Sequence, residues 1–242
     1  MKKLVLGSLM AIVVSQAAGC IITSGEEDAV ITANWSLKQQ ATGQSIPCPP
    51  GTTNAVVYSQ AVDLSFRPVG SPIIDRFIDQ CDDHSGRTAP LPPDVYQVWV
   101  QLESASGSVY ARSLSAFVDV IDADKTFTTT ILNDGGYFQL DWDLVDAGNN
   151  APLNCSDIPE IGGVGAVSTS VANPSMFFDD KFDCADGTGI TGGLLQGAYT
   201  VSVDALDMSD RSISPAPTNL TNRVIGDKNT VTDLGTVTVR VN

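Results

Sequence analysis

The chain has 242 residues, with 28 acidic side chains against 13 basic ones, a single histidine and five cysteines, for a formal charge of −15. So acidic a surface repels phosphate backbones and anionic lipid headgroups, which argues against nucleic acid as a partner. With His84 alone, neither a His-based metal site nor a Ser-His-Asp triad is expected within one chain, and a solvated loop position is the expected place for it.

Met1-Lys2-Lys3 is positive, Leu4 to Val14 is apolar, and Ala17-Ala18-Gly19-Cys20 closes the run. The apolar stretch is too short to span a bilayer as a mature helix, so residues 1–19 read as an export signal. Its closing residues resemble the lipobox of bacterial lipoproteins, with Ala17 where that family usually has Leu. The resemblance implies that Cys20 receives a diacylglycerol and becomes the new N-terminus, which makes the protein membrane-anchored. Ile21 stands where an Asp would retain family members at the inner membrane, so the outer membrane is implied. Residues 20–29, with Gly25, Glu26, Glu27 and Asp28, read as a hydrated tether.

From residue 30 the chain alternates. Ile31, Ala33, Trp35 and Leu37 share one phase, with Thr32, Asn34 and Ser36 in the other, which is the period of a half-buried strand. Further strands are expected over 55–66 and 73–81, with Pro and Gly punctuating the chain around the first. The most regular follows, with Tyr96, Val98, Val100 and Leu102 alternating with Gln97, Trp99 and Gln101, and β-rich stretches at 110–121 and 126–132 close this half. Asn133-Asp134-Gly135-Gly136 is the linker candidate, so two units (30–134 and 136–242) should sit close with limited freedom.

The second half repeats the order. Phe138, Leu140, Trp142 and Leu144 share a phase, strands are expected near 166–171 and 176–184, and Tyr199, Val201, Val203 and Ala205 alternate before stretches at 223–225 and 230–241. Trp35/Trp142, Leu37/Leu144 and Cys48/Cys155 stand 107 residues apart, whereas Cys81/Cys184, Gly86/Gly189, Tyr96/Tyr199 and Asp124/Asp227 stand 103 apart. A period this long indicates duplicated domains and not a solenoid. The expected fold is therefore all-β, two tandem sandwiches related by internal duplication.

With Cys20 assigned to lipid, four cysteines remain and allow three pairings. The repeat selects Cys48–Cys81 and Cys155–Cys184, one early and one late cysteine in each unit, which implies an oxidising compartment. A Cys₄ metal site would lack any Cys-x-x-Cys pair. Leu91-Pro92-Pro93-Asp94-Val95-Tyr96-x-Val98-x-Val100 and Leu194-Leu195-Gln196-Gly197-Ala198-Tyr199-x-Val201-x-Val203 resemble the Leu-Pro-x-Gly-x-Tyr-x-Val-x-Val turn and strand of immunoglobulin-like and carboxypeptidase-regulatory-like bacterial sandwich domains. Asp94 stands where that family has Gly, and the cysteine pair is not a general feature of the family. The resemblance implies non-catalytic spacer, adhesion or binding modules.

The acids Asp141-x-Asp143-x-x-Asp146, Asp122-x-Asp124 and Asp179-Asp180 match no Ca²⁺ loop pattern, and Asp141 and Asp143 fall in the outward phase of a strand. No pair among the acids is singled out for glycoside hydrolysis. Trp99 stands apart: it lies in the outward phase and its counterpart is Ser202, so the shared core does not need it. Either it stacks on a sugar or partner, or a loop or the other unit covers it. The expectation is a non-catalytic binding or structural component of the bacterial envelope, without cofactor, whose partners are the membrane through Cys20 and an envelope protein or glycan. A carbohydrate- or Ca²⁺-binding adhesion module is the alternative, ahead of a secreted glycan-active hydrolase.

Overall fold

The computed structural model describes residues 28–242; the signal-type segment, Cys20 and tether positions 20–27 lie outside the described residues. The first half runs through β1 (Ile31–Lys38), β2 (Ser45–Ile46), β3 (Thr52–Ala61), β4 (Ile73–Phe77), β5 (Ser85–Arg87), β6 (Val95–Ser104), β7 (Val109–Arg112), β8 (Ala116–Asp119) and β9 (Lys125–Leu132). The second runs through β10 (Gly135–Asp146), β11 (Pro152–Leu153), β12 (Ile161–Ser170), β13 (Phe177–Phe182), β14 (Thr188–Ile190), β15 (Leu194–Leu195), β16 (Gly197–Asp207), β17 (Thr218–Ile225) and β18 (Thr230–Val241). The chain is all-β, each half a sandwich of two sheets.

In the first sandwich, β1 pairs antiparallel with β2 and β5 on one side and parallel with β9 on the other. The facing sheet has the order β4-β3-β6, with β7 and β8 sharing the outer side of β6. In the second, β10 pairs with β11, β14 and β15 on one side and with β18 in parallel on the other, facing the sheet β13-β12-β16-β17. The pairing scheme is the same in both halves, β17 taking the role that β7 and β8 divide. The β-rich stretch 110–121 is thus made of two strands on a common partner.

Alternation decides what each sheet buries. Ile31, Ala33, Trp35 and Leu37 of β1 pack on Val57, Val98, Val100 and Leu102 of the facing sheet in one core cluster. Phe138, Leu140, Trp142 and Leu144 of β10 pack on Val164, Ala166, Val201 and Val203 in another. Disulfides join Cys48 to Cys81 and Cys155 to Cys184. Cys48 follows β2 of one sheet, and Cys81 lies in the 3-10 turn Cys81–Asp83 after β4 of the other, so the bond staples the two sheets at the sandwich edge. Both cores seal this staple alike: the Trp35 indole N–H donates to the Cys81 carbonyl at 2.9 Å, and that of Trp142 to the Cys184 carbonyl at 3.2 Å. Phe77 lies against Trp35 and Phe182 against Trp142. Each phenyl ring also occupies the space over a glycine: a Cβ on Gly86 would meet Phe77 at 2.6 Å, and one on Gly189 would meet Phe182 at 2.6 Å.

The Leu-rich turn before β6 and β16 closes through its tyrosine. The Tyr96 hydroxyl donates to the Pro92 carbonyl at 3.0 Å and that of Tyr199 to the Leu195 carbonyl at 3.1 Å, the geometry of a tyrosine corner. Burial raises both phenols above their ordinary range.

Two boundaries differ from the sequence reading. The strand expected over 55–66 stops at Ala61, because the Asp63 carboxylate accepts the Ser65 and Arg67 N–H groups and turns the chain. Gly135 and Gly136, expected as linker, open β10: Gly135 pairs with Leu195, and Gly136 with Leu194 and Thr230. A Cβ at either would lie 2.1 Å from a carbonyl oxygen, so the approach of three strands requires glycine here. Only Asn133 and Asp134 separate the sandwiches. Asn229, 3% exposed, bridges them: its Oδ1 accepts the Leu132 N–H at 2.6 Å and its Nδ2 donates to the Arg112 carbonyl at 2.8 Å. Gln40 adds a bond from Nε2 to the Gly193 carbonyl at 2.5 Å.

Candidate functional site

The outward face of the β4-β3-β6-β7 sheet is where Trp99 was expected to be informative, and it is closed. Tyr58 stands directly opposite Trp99 and stacks on it, ring centroids 5.0 Å apart and planes 4° from parallel. The Arg112 guanidinium lies 4.1 Å from the Trp99 ring centroid. Trp99 is consequently 7% exposed, and its faces are taken by the chain's own side chains. A sugar has no open platform there; the covering residues are Tyr58 and Arg112 of the same unit, not the other sandwich.

Beside this stack Glu103 is 2% exposed, yet fully engaged. Arg76 Nη1 donates to its Oε2 at 2.6 Å, and Gln101 Nε2 and the Tyr58 hydroxyl donate to Oε1 at 2.8 and 3.4 Å. The carboxylate raises the Arg76 pKa, burial lowers that of Arg112, and burial with Glu103 raises that of Tyr58. Two arginines, an aromatic pair and a buried acid therefore fill the outward face of the first sandwich from within.

The second sandwich offers the same positions with different residues. Val167 stands opposite Ser202 and Gly165 opposite Asp204, with Asp179 and Lys181 across from Val167 and Gly165 on β13. Thus Trp99 is replaced by Ser202, Tyr58 by Val167, Val56 by Gly165, Gln101 by Asp204 and Glu103 by Leu206. The removed bulk leaves a cavity of about 450 Å³. Its floor is Gly165, Val167, Ser202 and Leu206, and its walls are Asp179, Lys181, Asp204 and Asp210. Leu206 leans over Gly165, where a Cβ would meet it at 2.7 Å. Lys181 Nζ is held by Asp210 Oδ1 at 2.5 Å, whereas Asp179 and Asp204 have no ion-pair partner among the described residues. Asp204 Oδ1 is buried without a hydrogen-bond donor. Buried polar atoms are almost always bonded, so this oxygen lacks the donor that such atoms usually have.

Asp180, next in chain, points the other way, toward the core side of its strand. Its Oδ1 accepts the Gly192 N–H at 2.8 Å, as Asp75 Oδ1 accepts the Ala89 N–H at 3.0 Å in the first sandwich. Burial pushes its carboxyl above the ordinary range, against the Gly192 bond and with Asp179 adding to the rise.

The remaining candidates are dispersed. His84 follows the 3-10 turn in a left-handed conformation, half-buried with Nδ1 unbonded, not solvated as its sequence position implied. Asp124 receives the Val30 N–H and pairs with Arg87, and Asp146 closes the turn after β10 by accepting Gly148 and Asn149. Among the described residues, no group of three or more His, Cys, Asp or Glu side chains is placed to hold a metal ion. Cys20 lies outside the described residues. A wider depression of about 690 Å³ lies beside the second disulfide, floored by Trp142, Cys155 and Cys184 and built into the packing already described.

No protein-family model matches the chain, and no curated protein sequence matches it. Among solved structures, the minor pilin of Streptococcus agalactiae is similar at 13% identity and TM-score 0.31, over 88% of this chain and 96% of the pilin. A leucine-rich repeat protein from Bacteroides thetaiotaomicron is similar at 9% identity and TM-score 0.39, over 89% of this chain and 26% of its own. The fimbrial anchor protein of Porphyromonas gingivalis is similar at 10% identity and TM-score 0.28, over 80% and 83%. The fold assignment rests on the strand pairings themselves.

Proposed function

We propose that the protein is an exported, lipid-anchored, non-catalytic binding component of the bacterial envelope, and that its second sandwich binds a cationic group. The reading of the anchor rests on Ala17-Ala18-Gly19-Cys20 and of export on the two disulfides. One observation carries the binding site: a face that the first sandwich fills with Arg76, Arg112 and Trp99 is left open in the second, between unpaired carboxylates and over an apolar floor. An ammonium or guanidinium on an aliphatic stem matches both parts, the charge toward Asp204 and Asp179 and the stem on Val167 and Leu206. A lysine or arginine side chain of a partner protein has this form.

Charge-assisted hydrogen bonds contribute about 1.5–3 kcal/mol each, so Asp204→Asn should weaken binding of an N-acetyl-arginine amide probe roughly tenfold or more. Ser202→Trp, which places in the second sandwich the bulk that closes the first, should abolish it. Calorimetric titration reads both, and a Ser202→Trp protein that binds the probe like wild type would sink the site. The anchor has its own test. Metabolic labelling with a fatty-acid analogue should mark the wild type and leave Cys20→Ser unlabelled; an unlabelled wild type rules the anchor out.

A further inference from the structure

The connection from β3 to β4 presents apolar side chains that nothing among the described residues covers. Asp63 Oδ1 accepts the Ser65 N–H at 2.8 Å and the Arg67 N–H at 3.0 Å, and Phe66 takes a left-handed φ of 57° to close the turn. That geometry pushes Leu64 wholly into solvent and leaves Phe66 57% exposed. The Phe66 ring sits 4.9 Å from Phe117 of β8, itself 50% exposed, and Val69 and Ile121 are exposed as well.

The pairings say which end of the molecule this is. Val62 N–H donates to the Val95 carbonyl, Val95 pairs with Asp119, Leu91 bridges Ala29, and Lys125 N–H donates to the Val30 carbonyl. The patch therefore lies at the end where the chain enters the first sandwich, while β10 leaves from the opposite end, where Lys38 pairs with Leu132. Residues 21–27 separate Cys20 from Asp28. At roughly 3.3–3.6 Å per residue, this stretch reaches no further than about 30 Å. An acyl anchor on Cys20 thus keeps the patch near the bilayer, and aromatic rings and leucine at an exposed tip suit the headgroup boundary. Asp63, Asp94, Asp119, Asp122 and Asp124 share this end with Arg67, Lys125 and Arg87, which is paired to Asp124, a net acidic balance that repels anionic headgroups and leaves zwitterionic ones.

The same local turn recurs in the second sandwich at the end of β16, not in the β12–β13 connection that corresponds to β3–β4. Asp207 Oδ1 accepts the Ser209 and Arg211 N–H groups at 2.7 and 3.0 Å, and Asp210 has a φ of 61°. Its tip, Met208, is 76% exposed, and the fourth position of the turn is Asp210, where the first turn has Phe66. This turn lies where the chain finishes, the Asn242 N–H donating to the Ile213 carbonyl beside it, remote from the first sandwich.

We infer that the entry end of the first sandwich docks on the zwitterionic lipid surface that holds the anchor, with Leu64, Phe66 and Phe117 entering the headgroup layer. The inference rests on the acyl-anchor reading above. Its test uses the acylated full chain reconstituted on phosphatidylcholine vesicles with brominated acyl chains, with Leu64→Trp or Met208→Trp as the reporter over the buried native tryptophans. Emission at position 64 should fall at least twofold relative to unbrominated vesicles while emission at 208 is unchanged. Adding Phe66→Ser and Phe117→Ser should remove the quenching at 64 although the protein still floats with the vesicles. Flotation without quenching at 64, equal quenching at 208, or shielding of 64 that grows with protein concentration in the absence of lipid would each overturn the docking. If the protein neither floats nor carries a fatty-acid label, the anchor has failed by itself. Vesicles added to that unanchored protein then decide the docking separately: quenching at 64 upholds it and its absence overturns it.

Discussion

A protein carrying Cys48→Ala and Cys81→Ala is expected to lose about 3–4 kcal/mol of stability from its first sandwich. The bond closes a loop of 33 residues, and releasing it returns that much closure entropy to the unfolded chain. Domains are stable by only about 5–15 kcal/mol, so this loss is a large part of the total. Packing adds to the entropic term, because Cys81 is buried in the core and its carbonyl is the acceptor for the Trp35 indole N–H. Hydrogen exchange resolves the two halves: β1, β3 and β6 should lose protection, while β10, β12 and β16 keep theirs apart from the segments that touch Asn229. Treatment of wild type with reductant should lower protection in both halves, since Cys155–Cys184 closes a comparable loop of 29 residues. Unchanged protection of β1 and β3 in the double variant would show that the staple is not what stabilises the sandwich.

Trp142→Ala is expected to cost about 3–5 kcal/mol in the second sandwich. The indole is buried among Leu140, Leu144 and Val203, stacks on Phe182 at 5.7 Å, and donates to the Cys184 carbonyl. Trp142→Phe keeps most of the apolar volume and loses the donor, so about 1–2 kcal/mol should be lost. Denaturant unfolding reads the difference, and because Trp35 and Trp99 remain in the first sandwich, their fluorescence shows whether the damage stays local. A double-variant cycle combining Trp142→Phe with Cys155→Ala and Cys184→Ala should give a non-zero coupling energy, because the tryptophan holds the turn that carries Cys184. Equal effects of the alanine and phenylalanine variants would instead put the whole contribution in the hydrogen bond.

The core strands were readable because half-burial imposes a period of two, which β1, β10 and β16 each show over eight or more residues and which β6 shows apart from Trp99 and Glu103. The strands β2, β5, β11, β14 and β15, of two or three residues, carry no period and exist only because β1 and β10 lie alongside them. Gly135 and Gly136 looked like linker because glycine suits a turn; their role in β10 depends on Leu194 and Thr230, about sixty and ninety residues further along.

The candidate site was partly visible. Trp99 stood out because Ser202 replaces it, and that asymmetry separates a face that is filled from one that is open. Trp99 draws attention as an exposed aromatic only while Tyr58 and Arg112 are out of view, and both reach it from other strands across the sheet register. Ser202, unremarkable in the chain, becomes the floor of a cavity once Gly165 and Val167 lie beside it. Local alternation and the repeat spacing therefore determined, from the sequence by itself, that this chain is all-β and which side chains face inward, because burial acts on each strand separately. Which outward face is filled and which is open was decided only by tertiary structure, because filling a face requires side chains from three strands to meet at one register.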